Sequence, residues 1–272
     1  MNILMCGDER TYPGMEVAIY STLTHNKGVN IYIFTMRIEI PYPDGYVKVY
    51  SGLNDWQKTK LKKIVKYLDS ASQICFIDTL EFYKEYLDNS PNQFSAFTPF
   101  ATLRLIADIA LPHVNDVLYL DCDTAVTGDI SHIYYEYVAR DCNYAAYVCA
   151  DACDGEGEMV SGVMIMNLRK MRETNFLKRA RENFMANQYV YPDQDAIRDA
   201  GKPEVLPETF GYCEELERLS YTPLVLHFTN RLSPKVYNDD TGRTYFFRRF
   251  PFLKYIKDGA ELIDRINFGV EL

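Results

Sequence analysis

Two aspartates stand one residue apart at the end of an apolar run, Val117-Leu-Tyr-Leu-Asp121-Cys122-Asp123-Thr124. Carboxylates at i and i+2 of an extended strand share one face, and where the strand ends and the chain turns they can converge. Converging carboxylates repel, and a divalent cation relieves the repulsion. Hard oxygen donors suit magnesium or manganese. The plain alternative is a polar strand end in which an Asp caps the next helix. Far downstream, His227 closes a second apolar run, Thr222-Pro-Leu-Val-Leu-His227. A lone His at such a place is usually a hydrogen-bonded structural residue, yet one imidazole added to two carboxylates makes a sound divalent site. A third polar cluster, Tyr191-Pro-Asp193-Gln194-Asp195, opens a helix, where capping is its simplest role.

These groups need elements to hold them. Asn2–Cys6, Asn30–Thr35, Ser72–Ile77, Val117–Leu120, Ala145–Ala150 and Gly162–Met166 read as strands, and Thr222–His227 as a short one. Pro13–Leu23, Lys60–Leu68, Thr98–Leu111 and Met171–Asn187 carry helical patterns. The alternation predicts an α/β fold, an open and mostly parallel sheet with helices on both faces. Ligands of such sheets gather at the carboxyl ends of the strands.

Composition narrows the chemistry. The 272 residues carry a formal charge of −9, which argues against a nucleic-acid partner. No apolar stretch is long enough for a membrane span, and the start, MNILMCGDER, lacks the pattern of a secretory signal. Seven cysteines without a CxxC pair fit a reduced, cytoplasmic protein, with Cys149 and Cys153 a weak hint of a thiol pair. The segment from Arg243 to Lys257 mixes basic and aromatic residues and could lie on the inner face of an anionic membrane. Pro251 interrupts any continuous amphipathic helix there, so packing of the aromatics with the charges left in water is the favoured reading.

Taken in order, the motifs resemble glycosyltransferase family 8, the retaining group that includes lipooligosaccharide galactosyltransferases and glycogenin. Arg104-Leu105 follows a Thr-rich helix start. Leu118-Tyr-Leu-Asp-Cys-Asp-Thr124 is trailed by Gly128-Asp129-Ile130. Then come Ser161-Gly-Val-Met-Ile-Met-Asn-Leu168, Asp193-Gln-Asp195 and Leu206-Pro207. The resemblance implies a single GT-A-type domain with an open mixed sheet. Its nucleotide-binding, Rossmann-like half would span about residues 1–125, a sugar and acceptor half about 126–235, and a C-terminal helical extension about 236–272. It implies a UDP-sugar donor and manganese, or magnesium, held by Asp121, Asp123 and His227. Asp8 would meet the uracil, Arg104 the nucleotide or sugar, Asp151 and Asp193 the sugar hydroxyls. Gln194 would lie under the anomeric carbon, and Cys122 would line the nucleotide site between its two aspartates. The acceptor, whether glycan, lipid-linked or protein, is set by loops that such motifs do not include.

Several positions depart from the family pattern. Val160 stands where the family usually has Asn, Thr102-Leu103 precedes Arg104 in place of Tyr-x, and Asn230 replaces a Gly after His227. The phosphate-binding Lys corresponds to Lys235, displaced along the chain, with Arg231 as its rival. These departures keep open a nucleotide-sugar-binding protein with reduced turnover. Leu-Tyr-Leu-Asp121-Cys-Asp123-Thr124 also looks like the aspartyl-phosphate motif of haloacid-dehalogenase-type phosphatases, with Asp121 as nucleophile. That motif normally opens its domain and is normally followed by a later Gly-Asp-x-x-x-Asp, which is absent here.

Overall fold

Strand β1 (Asn2–Cys6) is apolar from Ile3 onward because both of its faces are covered there. Ile3 and Met5 pack into one buried cluster, Leu4 and Cys6 into another. The computed structural model, which describes residues 1–149, 158–212 and 223–227, places β1 inside a seven-stranded sheet. β1 pairs in parallel with β2 (Asn30–Thr35), and β2 with β5 (Gln73–Asp78). On its other side β1 is parallel to β6 (Val117–Leu120). Beyond β6, β9 (Glu158–Met166) runs antiparallel to both β6 and β8 (Tyr144–Cys149), and β10 (Glu204–Val205) closes the edge parallel to β8. The order is β10-β8-β9-β6-β1-β2-β5, an open sheet that is mostly parallel, as expected. Between β2 and β5, β3 (Ile38–Pro41) and β4 (Val47–Tyr50) form a hairpin. A second sheet joins β7 (Thr124–Val126), β12 (Val225–His227) and β11 (Phe210–Tyr212).

Helices cover both faces. On one lie α1 (Tyr12–His25), α2 (Asp55–Leu68) and α6 (Ser131–Ala139), which bury Met15, Leu61 and Tyr134. On the other, α4 (Pro99–Thr102), α5 (Ala107–Ala110), α7 (Leu168–Glu173), α8 (Phe176–Ala186) and α9 (Pro192–Ala200) bury Phe100, Leu168, Phe184 and Ala196. α3 (Leu80–Tyr86) packs Tyr83 against the same cluster. α2 starts at Asp55, ahead of the expected Lys60, because Asn54 and Gln57 form a reciprocal capping box.

Two expected helices are broken. Thr98–Leu111 is not one helix: α4 tightens into a 3-10 turn over Leu103–Ile106 before α5. Leu103, Leu105 and Ile106 are fully buried, so no polar stripe faces water, and Arg104 reaches back to bond the Ala101 carbonyl. Met171–Asn187 is likewise two helices. Asn175 adopts the left-handed region (φ 54°), which Asn tolerates, and Thr174 Oγ1 bonds Asn143 across the gap. The expected strand ending at His227 is described only over Val225–His227. The C-terminal extension proposed for 236–272 and the basic segment from Arg243 lie outside the described residues, as do Arg231 and Cys153.

A buried ion pair ties α8 to α5, and a hydrogen bond ties it to the 3-10 segment: Arg181 donates to Asp108 Oδ1 at 2.6 Å and to the Leu105 carbonyl at 2.7 Å. Removing one member leaves an uncompensated buried charge. Arg181→Ala is expected to lower unfolding stability by about 3–5 kcal/mol, read by denaturant titration; a loss within experimental error would show that the pair is not buried in solution.

Candidate functional site

The antiparallel pairing of β6 with β9 carries one residue past the strand, where the Asp121 amide donates to the Gly162 carbonyl at 2.8 Å. The chain then turns through Cys122 and Asp123 into β7. β12 pairs antiparallel with β7 and sets His227 opposite Thr124. That register brings the imidazole to the two carboxylates, with His227 Nε2 3.5 Å from Asp121 Oδ2 and 3.3 Å from Asp123 Oδ1. One donor atom from each residue lies within 4.8 Å of the others. Gly162 makes the approach feasible, because a Cβ there would sit 2.2–2.7 Å from atoms of the imidazole ring. Two carboxylate oxygens and one imidazole nitrogen at this spacing fit a divalent cation of the magnesium or manganese type.

Behind this cluster a buried cation organises the anions. Arg104, 3% exposed, donates to Asp121 Oδ1 at 2.7 Å and pairs with Asp193 Oδ2 at 3.1 Å. It also bonds the Ser161 carbonyl, and its guanidinium lies 4.0 Å from the centre of the Tyr119 ring. The Tyr119 hydroxyl donates to the same Asp121 oxygen at 2.6 Å. Burial alone would raise the Asp121 carboxyl; Arg104 first, then His227 and Tyr119, outweigh it and hold the group well below the usual carboxylate range. Asp193 goes the other way: burial raises it and nearby Asp121 adds to the rise, while Arg104 opposes both. Burial also pushes the Tyr119 phenol far up, so it stays a donor.

The third cluster meets this network through Ser161. Its amide donates to Gln194 Oε1 at 3.0 Å and its hydroxyl to Asp193 Oδ2 at 3.3 Å. Asp195 faces the other way. It accepts from the Tyr191 amide at 2.9 Å and pairs with Arg198, so it caps and braces α9. Other motif residues are also structural. Asn167 caps α7, and Asp129 accepts from the Ser131 amide at the start of α6.

Asp8 is buried just past β1, where its Oδ1 accepts from the amides of Arg10 and Thr11 and shapes the entry to α1. This loop abuts the metal-type turn: a Cβ at Gly14 would lie 2.2 Å from the Cys122 carbonyl, and one at Gly7 would lie 3.0 Å from its sulfur. Cys122 turns its thiol inward to the Cys6 carbonyl, so its side chain faces the core. Asp151 and Lys235 lie outside the described residues. The structure thus brings together Asp121, Asp123, His227, Arg104, Asp193 and Gln194. It adds Tyr119 and Ser161, which lay inside recognised motifs but whose part depends on strand register.

The sequence model described as glycosyl transferase family 8 matches residues 2–205. A Haemophilus influenzae protein, named only as a glycosyltransferase, is 24% identical over 219 residues, 75% of this chain and 60% of its own length. The chain therefore spans about 60% of that relative. Among solved structures, the galactosyltransferase LgtC in complex with donor and acceptor sugar analogs aligns with TM-score 0.68 and 16% identity, over 95% of this chain and 96% of that one. The glycosyltransferase GlyE of Streptococcus pneumoniae aligns with TM-score 0.62 and 17% identity, over 97% of this chain and 62% of that one. Mouse xyloside xylosyltransferase 1 aligns with TM-score 0.57 and 14% identity, over 84% and 96%. At these identities what is shared is the fold, which is of the GT-A type.

The close fit of His227 on β9 is testable. Gly162→Ala should destabilise the fold by about 1–3 kcal/mol, the usual cost of overpacking. Gly128→Ala, whose added carbon meets only the end of the Leu224 side chain at 2.7 Å, should cost less. Denaturant melts of the two variants decide it, and the reverse ranking would show that the imidazole is not held against the strand.

Proposed function

The chain belongs to glycosyltransferase family 8, and on that premise we propose that it moves a hexose, glucose or galactose, from a UDP-sugar to a glycan, lipid-linked or protein acceptor with retention at the anomeric carbon. The observation that carries this reading is the placing of the Asp121, Asp123 and His227 donor atoms within 4.8 Å of one another, with Arg104 bridging Asp121 to Asp193 beside Gln194. Manganese or magnesium would be held by these three residues, and when bound it supplies positive charge to the diphosphate as it leaves. The protein's own groups do the rest. Asp8, at the entry to α1, would meet the uracil. Asp193, anchored by Arg104 and Ser161, is buried at the helix start, where a carboxylate can orient sugar hydroxyls. Gln194 has its Oε1 taken by the Ser161 amide, which disfavours attack through that oxygen and suits an orienting dipole. On this reading no side chain bonds the sugar: the acceptor enters on the face that the diphosphate leaves, its oxygen replaces the phosphate oxygen on the anomeric carbon, and a phosphate oxygen takes its proton. Position and preorganised dipoles supply the rate.

The phosphatase reading of Asp121 finds no support. One of its oxygens is already held by Arg104 and Tyr119, and the matching family is a different one. An intact set of metal-type ligands also argues against a chain reduced to donor binding. Among the described residues no helix is long and apolar enough to cross a membrane; we place the activity in the cytoplasm, with membrane contact through the segment from Arg243 as the less favoured setting.

The first test is linkage. UDP at 100 times its dissociation constant should stabilise the chain by about 2.7 kcal/mol in the presence of manganese, and far less in EDTA, as read by thermal shift. Asp123→Asn should abolish the metal-dependent part with the fold intact. Equal stabilisation in both buffers would sink the metal site. The second test concerns Gln194. Gln194→Ala should leave transfer or donor hydrolysis reduced about 10–1000-fold, as for loss of one preorganised group. Complete loss, or a sugar trapped on residue 194 by mass spectrometry, would make Gln194 a nucleophile instead.

A further inference from the structure

Tyr119 is a tyrosine where packing asks only for a ring. It lies on β6, 1% exposed, among the apolar side chains of one face of the sheet. A buried hydroxyl needs a partner, and phenylalanine would fill the same space without that need. The partner is Asp121, two residues on and hence on the same side of the extended chain. The tyrosine hydroxyl donates to Asp121 Oδ1 at 2.6 Å, and Arg104 Nη2 donates to the same oxygen at 2.7 Å. The guanidinium rests on the tyrosine ring at 4.0 Å, so the two donors hold each other in place. Asp121 Oδ2 faces the opposite way, 3.5 Å from His227 Nε2.

We propose that Tyr119 is a positioning residue for the metal carboxylate. It fixes Asp121 with one oxygen inward and the other turned to Asp123 and His227, so that Asp121 serves as a one-oxygen ligand of fixed direction. Arg104 cannot do this alone, since its nitrogens are also committed to Asp193 and to the carbonyls of Ala101 and Ser161. Without the phenol, the carboxylate can tilt towards the guanidinium and away from the other two ligands. Partners of this kind are worth about 10–100-fold in metal affinity. The inference rests on the metal-assisted reading above and adds the residue that aims its ligand.

The experiment measures the dissociation constant of Mn2+ in the presence of UDP, by the electron paramagnetic resonance signal of free Mn2+, for the wild-type chain, Tyr119→Phe and Tyr144→Phe. Tyr144 is the control: a buried tyrosine whose hydroxyl bonds the Gly201 carbonyl at 2.7 Å, away from the cluster. Tyr119→Phe keeps the ring beneath Arg104, and melting in EDTA establishes that both variants are folded to a similar degree. Tyr119→Phe should weaken Mn2+ by about 10-fold or more, Tyr144→Phe should bind it as the wild type does, and excess Mn2+ should restore the activity of Tyr119→Phe. Binding by Tyr119→Phe as tight as wild type, or equal weakening in Tyr144→Phe, overturns the role given to Tyr119 and leaves the metal centre standing. A wild-type chain that binds no Mn2+ removes the metal centre itself, and this role with it.

Discussion

One buried cation holds this site together. Arg104 sits almost without solvent between Asp121 and Asp193, which belong to different elements and would otherwise repel. Neither carboxylate could be buried beside the other unaided, because an unpaired charge in the interior costs several kcal/mol. The two then diverge: at Asp121 burial is outweighed by Arg104 and its other partners, which pull it below the usual range, whereas at Asp193 burial prevails over Arg104 and raises it. The interrupted helix around Arg104 follows from the same need. The tight turn over Leu103–Ile106 carries the guanidinium to Asp121, past the end of β6, and to Ser161 in β9. The end of β6, the start of α9 and the middle of β9 are all referred to that one group.

Strand β9 distributes this order. Ser161 and Gly162 are consecutive, and the sheet sends them to different tasks. Ser161 gathers Arg104, Asp193 and Gln194, while Gly162 yields the space that His227 occupies. β9 is antiparallel to both neighbours, so a slip of one residue would exchange the two roles and undo both. The Asp121, Asp123 and His227 cluster and the Asp193–Gln194 pair on α9 are therefore both aligned on one strand of the sheet.

Much of this could be read from the sequence, for physical reasons. The strands declare themselves because both faces of the sheet are covered and the runs are apolar throughout. Asp121, Asp123 and His227 stand at the ends of such runs, where a polar residue is conspicuous. The breaks at Leu103 and Asn175 were not legible, since each depends on a tertiary partner: the pocket for Arg104, and the bond from Thr174 to Asn143. The hairpin of β3 and β4 is not among the expected strands, because although Ile38, Ile40 and Tyr50 join the core, each strand is only four residues long and β4 leaves Val47 and Val49 exposed. Tyr119 and Ser161 looked like ordinary strand residues, and only the pairing of β6 with β9 gives them work. Asp8 and Cys122 were readable by position, but the direction of each side chain was not.

The small sheet has a consequence for the order of events on the ribosome. β7 follows directly on the two aspartates, yet its partner β12 is made much later, after helices α6 to α9 and strands β8 to β11. Domains tend to acquire structure from the N-terminal side during synthesis, so a nascent chain holds Asp121 and Asp123 beside an unpaired strand edge for as long as that takes. Such edges recruit other strands. When Val225–His227 docks, it covers the edge and delivers the imidazole in the same stroke, so a chain that has not finished folding is also one that has not yet assembled the Asp121, Asp123 and His227 cluster.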